Sequence, residues 1–281
     1  MMVNFIVKGS LAMAISLMIF ANSAMAFGSH SRHGFFDRNS EKHSERMIEH
    51  LTEDLELDSV QVAKLRKIKD ELNAKRKAMK VDRKQIFETF LNEIANDELD
   101  ISKFQVIVDN HASRVKLETA FLTEKLVEFH QMLSPVQREL VVDKVKEMRQ
   151  RREDRKSGWF YKTPEERADS ILDMVSDRLA LTEDQFIAFT KIKNNLLKSR
   201  STYLNDGYFL RLTDQFSGQF VRETLNTNEI QHEMNDAIAR LEKMASVVLK
   251  NIKKAHENLS VEQRDQIVEK MQDHSRRVTK K

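Results

Sequence analysis

Histidines are concentrated near the N-terminus of the chain, where their imidazole nitrogens could bind a divalent metal. His30 and His33 stand three residues apart, and His43 and His50 follow. Neutral imidazoles are common ligands of Zn²⁺, Cu²⁺ and Ni²⁺. The spacings are irregular, however, and the chain has no cysteine to supply a thiolate. Two interpretations stay open: a Zn²⁺ or other divalent-metal site formed by His30, His33 and His43, and an ordinary polar tail.

A strongly basic stretch between Lys64 and Lys84 could bind unfolded polypeptide. It carries ten basic residues against three acidic ones, with apolar side chains between the charges. Positive charge attracts a partner over a distance, and flexible apolar side chains adapt to many sequences. The alternative is a solvated helix face. The candidate client-binding residues of this stretch are Lys64, Leu65, Ile68, Leu72, Lys75, Arg76, Lys77, Met79 and Lys80.

An aromatic segment in the second half of the chain offers another contact region for a client. Five aromatic residues lie between positions 203 and 220. Aromatic side chains at such spacing belong to a hydrophobic core more often than to a binding surface. Both roles stay open for the three that we consider candidates for client binding, Tyr203, Tyr208 and Phe209.

The sequence lacks the patterns that are typical of catalytic sites. It has no Gly-rich phosphate loop, no nucleophile elbow and no cysteine. His130 and His256 each stand three residues before a leucine, where the C-terminus of a helix would favour positive charge. We therefore predict no catalytic residue and no enzymatic activity.

The first 26 residues have the pattern of a secretory signal peptide. Lys8 precedes an apolar run from Leu11 to Ala21, and Ala24-Met25-Ala26 provides an A-x-A cleavage site. We predict cleavage after Ala26, a flexible segment over 27–40, and a periplasmic mature protein without a membrane span. An uncleaved membrane anchor is the alternative.

A five-residue pattern occurs four times and predicts the starts of four helices. A Ser, Thr or Asp side chain can accept from the backbone N–H three residues on, and the glutamine there can accept from the N–H of the cap residue. The preceding leucine can pack against the first turn of the helix. The residues of these capping motifs are Leu57, Asp58 and Gln61; Leu133, Ser134 and Gln137; Leu181, Thr182 and Gln185; and Leu259, Ser260 and Gln263.

The same motifs indicate that the chain contains two tandem sequence repeats. The motif at Leu57 recurs 124 residues later at Leu181, and the motif at Leu133 recurs 126 residues later at Leu259. This repetition predicts helical units at 41–155 and 164–281, joined by a linker over 156–163. The apolar spacing predicts helices at 41–55, 58–95, 101–131 and 134–155, then at 165–178, 182–204 with a broken continuation to about 224, 228–257 and 260–277.

Paired motifs of this kind behind an export signal resemble the LTxxQ motifs of the CpxP/Spy family of periplasmic stress proteins. Leu181 to Gln185 fits the motif fully, Ser134 and Ser260 replace its threonine, and Asp58 departs from it. The family's members are dimers of thin, curved helical cradles. The resemblance therefore implies an all-α fold in which two tandem four-helix units form an elongated, curved pseudo-dimer within one chain.

The resemblance also implies a function. We expect an ATP-independent chaperone, or holdase, that binds unfolded or misfolded clients on a concave, charged and apolar surface. Two alternatives stay open: a metal-binding or metal-responsive envelope protein, and an inhibitor or adaptor of a two-component sensor kinase that docks on its periplasmic domain. A nucleic-acid partner is not expected, because the formal net charge is only +3 and the chain is exported. Apart from the possible divalent metal, we expect no cofactor.

Overall fold

The chain folds into α-helices joined by short connections. A computed structural model of the protein describes residues 40–78, 83–156 and 162–279. No β-strand occurs in these residues, so the predicted all-α class is confirmed. The predicted signal peptide over 1–26 lies outside the described residues. The helices are α1 (Ser40–Asp54), α2 (Ser59–Ala78), α3 (Arg83–Ala95), α4 (Ser102–Met132), α5 (Pro135–Lys156), α6 (Pro164–Leu179), α7 (Glu183–Tyr203), α8 (Asp206–Phe220), α9 (Thr227–Glu257) and α10 (Val261–Thr279).

The long helix of the second repeat is interrupted, as the sequence predicts. Helix α7 ends at Tyr203 and α8 begins at Asp206. The backbone N–H of Leu204 donates to the carbonyl oxygen of Arg200 at 2.8 Å and closes the last turn of α7. Gly218 lies inside the following helix α8 and does not interrupt it. The interruption therefore comes from the segment around Asn205, where residues of low helix propensity follow one another.

The helix ends repeat their geometry in the two halves of the chain. Glu56 and Ala180, which are 124 residues apart, are the only non-glycine residues in the described part of the chain with a positive φ, at 50° and 47°. This left-handed conformation ends a helix. In the second half, the N–H of Ala180 donates to the carbonyl oxygen of Ser176 and closes α6. The sharp turn places the following leucine at the start of the next helix.

The described residues form two compact units, and each unit contains segments from both sequence repeats. The first unit combines the described residues up to Lys80 with Ser113–Arg155 and Asp206–Ile238. The second combines the described residues of Val81–Ala112, Lys156–Asn205 and Ala239–Lys281. Helices α4 and α9 each contribute one end to either unit. The sequence units therefore describe the repetition of the chain, whereas the compact units describe which residues pack together.

The first unit has an extensive hydrophobic core. Its centre is Phe129, which is only 1% exposed, and the rings of Phe129 and Phe220 lie 6.0 Å apart. Phe220 belongs to the second repeat, so side chains from both repeats close this core. Its buried members are Ile48, Leu55, Leu57, Leu65, Ile68, Leu122, Leu126, Phe129, Met132, Leu133, Val141, Val142, Phe216, Phe220, Ile230 and Met234.

The second unit has a smaller buried cluster. Its buried members are Ile94, Leu99, Phe104 and Leu249, with partly buried residues around them. The rings of Phe90 and Phe104 meet edge to face at 5.9 Å. No residue of α7 is buried, although this helix corresponds in sequence to α2, which buries Leu65 and Ile68. Helix α7 is therefore less covered than its counterpart.

We predict that Phe129→Ala destabilises the protein by about 3–5 kcal/mol, because it removes a phenyl ring from the centre of a closed core. Urea denaturation followed by circular dichroism measures the loss. Leu117→Ala is the control, since Leu117 lies on the same helix and is 79% exposed. Its free energy of unfolding should stay within about 0.5 kcal/mol of wild type. Equal effects of the two substitutions would contradict the packing described.

Candidate functional site

The glutamines of the two capping motifs in the first unit bond to each other. The Nε2 of Gln61 donates to Oε1 of Gln137 at 2.8 Å, and the Nε2 of Gln137 donates back to Oε1 of Gln61 at 3.0 Å. Gln61 also donates to the carbonyl oxygen of Met132 at 2.6 Å, and Gln137 donates to that of Leu55 at 3.1 Å. Each amide thus joins the start of one helix to the end of another. We call this reciprocal pair a glutamine clasp.

A second glutamine clasp forms in the second unit with the same geometry. Gln185 donates to Oε1 of Gln263 at 2.8 Å, and Gln263 donates back at 3.1 Å. Gln185 also bonds the carbonyl oxygen of Asn258, and Gln263 bonds that of Leu179. The capping bonds are present beside these contacts, because each glutamine Oε1 also accepts from the backbone N–H of its own cap residue.

The motif therefore does more than start helices. A primary amide has one acceptor oxygen and two donor hydrogens. In the clasp, the oxygen caps its own helix while the hydrogens reach the partner motif and a helix end. A glutamate could keep the cap but could not donate. This requirement accounts for glutamine at all four positions, which helix capping alone does not explain.

His130 lies next to the clasp of the first unit and bonds the end of a helix from the other repeat. Its Nε2 lies 3.1 Å from the carbonyl oxygen of Phe220 and 3.0 Å from that of Arg222. Both neighbours are acceptors, so Nε2 carries the proton and donates. Burial lowers the pKa of His130, and the positive charge of Arg138 lowers it further. His130 is therefore held as a neutral donor.

The second unit has an equivalent contact. There the histidine comes from the second repeat and the acceptor from the first. His256, 126 residues after His130, places Nε2 at 2.9 Å from the carbonyl oxygen of Asn96, which belongs to the first repeat. Arg264 bonds Asp97 at 3.0 Å, while its counterpart Arg138 bonds the carbonyl oxygen of Arg222 at 2.8 Å. The sequence interpretation of both histidines as charges at a helix end missed these contacts between repeats. Their identical offset was the signal that could have revealed them.

A network of charges covers the face between α2 and α4 in the first unit. The Lys125 side chain is 7% exposed, and its Nζ lies 2.5 Å from Glu71 and 2.6 Å from Glu128. The hydrogen bonds that Lys125 donates to Glu128 and Glu71 raise the pKa of Lys125, and the bond that Glu71 accepts from Lys125 lowers the pKa of Glu71. Lys75 pairs with Glu118 at 3.1 Å. Both ammonium groups lie 5.4 Å from the centre of the Phe121 ring, within cation–π range.

The second repeat places two amides where the first repeat has this buried ion pair. Asn195 and Asn251 occupy the positions of Glu71 and Lys125, and their side chains lie 3.4 Å apart. A peripheral ion pair, by contrast, is kept in both repeats: Lys69 bonds Glu45 at 2.5 Å, and Lys193 bonds Asp169. The two repeats thus share a framework but differ in the chemistry of this pair of positions.

The predicted client-binding residues fall into four groups. Leu65 and Ile68 belong to the core at 1% and 3% exposure, and Leu72 packs against that core. A client would reach them only if the unit opened. Lys64 is exposed, and Lys75 is ion-paired on the surface. Tyr208 is buried against Phe209, which is half-buried like Tyr203. The side chains of Arg76, Lys77, Met79 and Lys80 lie outside the described residues.

Exposed apolar side chains lie at positions that the sequence analysis did not select. Phe186 and Ile187 at the start of α7 are 38% and 47% exposed. Their counterparts in the first repeat, Val62 and Ala63, line an open groove of about 830 Å³. Charged side chains form much of that groove's remaining lining, namely Arg66, Lys67, Asp70 and Glu71. Aligning the repeats at the offset of 124 would have directed attention to Phe186.

A metal centre is not visible in the described part of the chain. No group of three or more His, Asp or Glu side chains there could hold a metal ion. The proposed ligands His30, His33 and His43 lie outside the residues whose side chains the structure describes. Within the described ranges, no helix is long and apolar enough to cross a membrane.

No protein-family model, curated protein or solved structure matches this chain. The resemblance to the CpxP/Spy family therefore stays a prediction that rests on the four motifs and their spacing.

We predict that Gln137→Glu destabilises the protein by about 2 kcal/mol, because the carboxylate keeps the cap on Ser134 but loses both donors of the clasp. Chemical denaturation measures the change. Gln266→Glu, an exposed change on α10, is the matched control and should be nearly neutral. If Gln137→Glu were as stable as wild type, the donor role of the clasp would be refuted.

We predict that His130 makes stability depend on pH between about 6.5 and its lower folded pKa. Because the folded pKa is below the unfolded value, the contribution of His130 is complete above pH 6.5 and is lost as pH falls through the folded pKa. Unfolding free energies measured from pH 7.5 to 5 should decrease less in His130→Gln, whose amide can still donate. Leu117→Ala, an exposed change on the same helix, removes no titratable group and should retain the wild-type slope.

Proposed function

We propose that the protein is a periplasmic, ATP-independent holdase of the CpxP/Spy type, in which the two repeats pair within one chain as two subunits of a dimer would. The pairing is supported by the reciprocal contacts of His130 and His256, each of which bonds the opposite repeat. The N-terminal signal pattern supports export.

The observation that carries the holdase proposal is the surface of α7. From Gln185 to Tyr203 this helix has four basic residues and no acidic one, and none of its residues is buried. Phe186 and Ile187 are exposed at its start. Such a mixture of positive charge and accessible apolar groups attracts an unfolded chain and binds it loosely. The exposed Lys64 and the basic residues of α2 extend the same character to the first repeat.

We predict that the purified mature protein suppresses the aggregation of a chemically unfolded client without nucleotide. Phe186→Ser combined with Ile187→Ser should weaken client binding by about tenfold or more. A client can cover only the exposed 38% and 47% of these side chains, and a fully covered apolar side chain contributes on the order of 1.5–3 kcal/mol. Light scattering gives the suppression, and fluorescence anisotropy with a labelled client gives the affinity.

Val261→Ser is the matched control, because Val261 is also exposed and lies on a helix of the same unit. Circular dichroism should show unchanged helicity in all variants. Absence of suppression by the wild type at equimolar ratio would overturn the function. Suppression that is unaffected by the double substitution would show that clients do not bind at α7.

A further inference from the structure

The two repeats carry different side chains at the place where they contact each other. In the first repeat, Phe129 and Met132 flank His130. At the same positions of the second repeat, 126 residues later, Ala255 and Asn258 flank His256. The clasp glutamines and the histidines themselves are unchanged. The difference is therefore confined to the volume and polarity of the residues beside a shared hydrogen-bonding framework.

Phe129 and His130 pack against Phe216 and Phe220, which we call the aromatic end of α8. The ring of Phe220 lies 6.0 Å from that of Phe129, 5.1 Å from that of His130 and 5.1 Å from that of Phe216. The imidazole meets Phe220 edge to face at 87°. Phe129 and Phe220 are fully buried. Four aromatic rings from two repeats thus fill one continuous space.

The corresponding contact in the second unit has smaller residues at two of its positions. The positions of Phe216 and Phe220 are occupied in the first repeat by Phe90 and Ile94. The residue at the position of Phe129 is Ala255, which is only half-buried. His256 nevertheless makes its bond to Asn96 there. The larger pair, Phe129 and Phe220, therefore meets in the first unit, and the smaller residues Ala255 and Ile94 stand at the corresponding positions of the second.

Pairing of like repeats would separate these matched residues. Two second repeats would place Ala255 against the aromatic end of α8 and leave the space of a phenyl ring empty in both contacts. Asn258 would also bring an amide to the position where Met132 contributes an apolar side chain to the core. Two first repeats would place Phe129 against Ile94, where the ring–ring contact with Phe220 is missing. Mismatched size of this kind disfavours the wrong partner.

We propose that the aromatic end of α8 is a receptor specific for Phe129 and His130 of the first repeat, so that each repeat selects the other rather than a second copy of itself. The partner for this surface is thus the chain's own first repeat. The inference rests on the paired-repeat arrangement proposed above and is independent of client binding.

The test uses the whole chain with a protease site inserted between Lys156 and Lys162. The folded protein is cut once, unfolded in urea and refolded, and native mass spectrometry then counts the pairs of fragments. We expect the 1:1 pair of unlike fragments, with like pairs below about a tenth of the material, because a missing buried phenyl ring corresponds to a hundredfold or more in equilibrium. Random association would put half of the material into like pairs and overturn the proposal.

A second variant tests the residues directly. Ala255→Phe combined with Asn258→Met gives the second repeat the side chains of the first at both positions. The share of second-repeat pairs should then rise several-fold toward the random value. Ala188→Phe is the matched control, because Ala188 is a half-buried alanine in α7 of the same repeat. An equal rise in the control, or no rise in the test variant, would contradict the assigned receptor.

Two further outcomes are informative. Fragments that separate on cutting, before any urea is added, would contradict the paired-repeat arrangement itself. If the fragments do not refold after urea, cut wild-type protein is mixed with cut, isotopically labelled protein under native conditions. Selective pairing predicts that exchange joins a labelled fragment of one repeat to an unlabelled fragment of the other repeat, with no measurable pairs of like fragments. Formation of like pairs during exchange overturns the proposal.

Discussion

The reciprocal hydrogen bonds of the glutamine clasps are the constraint on which the rest of the structure depends. A helix start and a helix end both expose backbone groups that need partners. In each clasp, two amides satisfy two helix starts and two helix ends together. The clasp in the first unit brings α1, α2, α4 and α5 to one point, and the positions of their apolar faces then follow. Removing one amide would leave several polar groups without partners at once.

Both units contain a glutamine clasp, but they differ in how many apolar side chains they bury. In the first unit, rings from both repeats fill the core, and the Lys125 ion pairs cover the face between α2 and α4. In the second unit, asparagines replace the ion pair, and α7 buries no residue. Local opening requires less free energy where fewer apolar contacts must be broken. The first unit therefore has the larger buried core, while the second leaves one whole helix, α7, without a buried residue.

Much of the fold could be predicted from the sequence, because helix starts and apolar spacing are local signals. The interruption near Asn205 and the helix starts at Glu183 and Pro135 follow from side chains within four residues of each position. The partners of His130 could not be predicted this way. They are carbonyl oxygens 90 and 92 residues away, and no residue near His130 specifies them. The same limit explains why Leu65 was selected as a contact residue: helical spacing identifies an apolar face but not what covers it.

The division of α4 and α9 between the two compact units has a consequence for the turnover of the protein. A break at the sequence linker would give two polypeptides, each holding only part of either core. Neither product would retain a complete apolar interior by itself, so a cut followed by separation would expose buried leucine and phenylalanine side chains to cellular proteases. Half-sized products should therefore persist only while they stay paired, and their separation should lead on to small peptides.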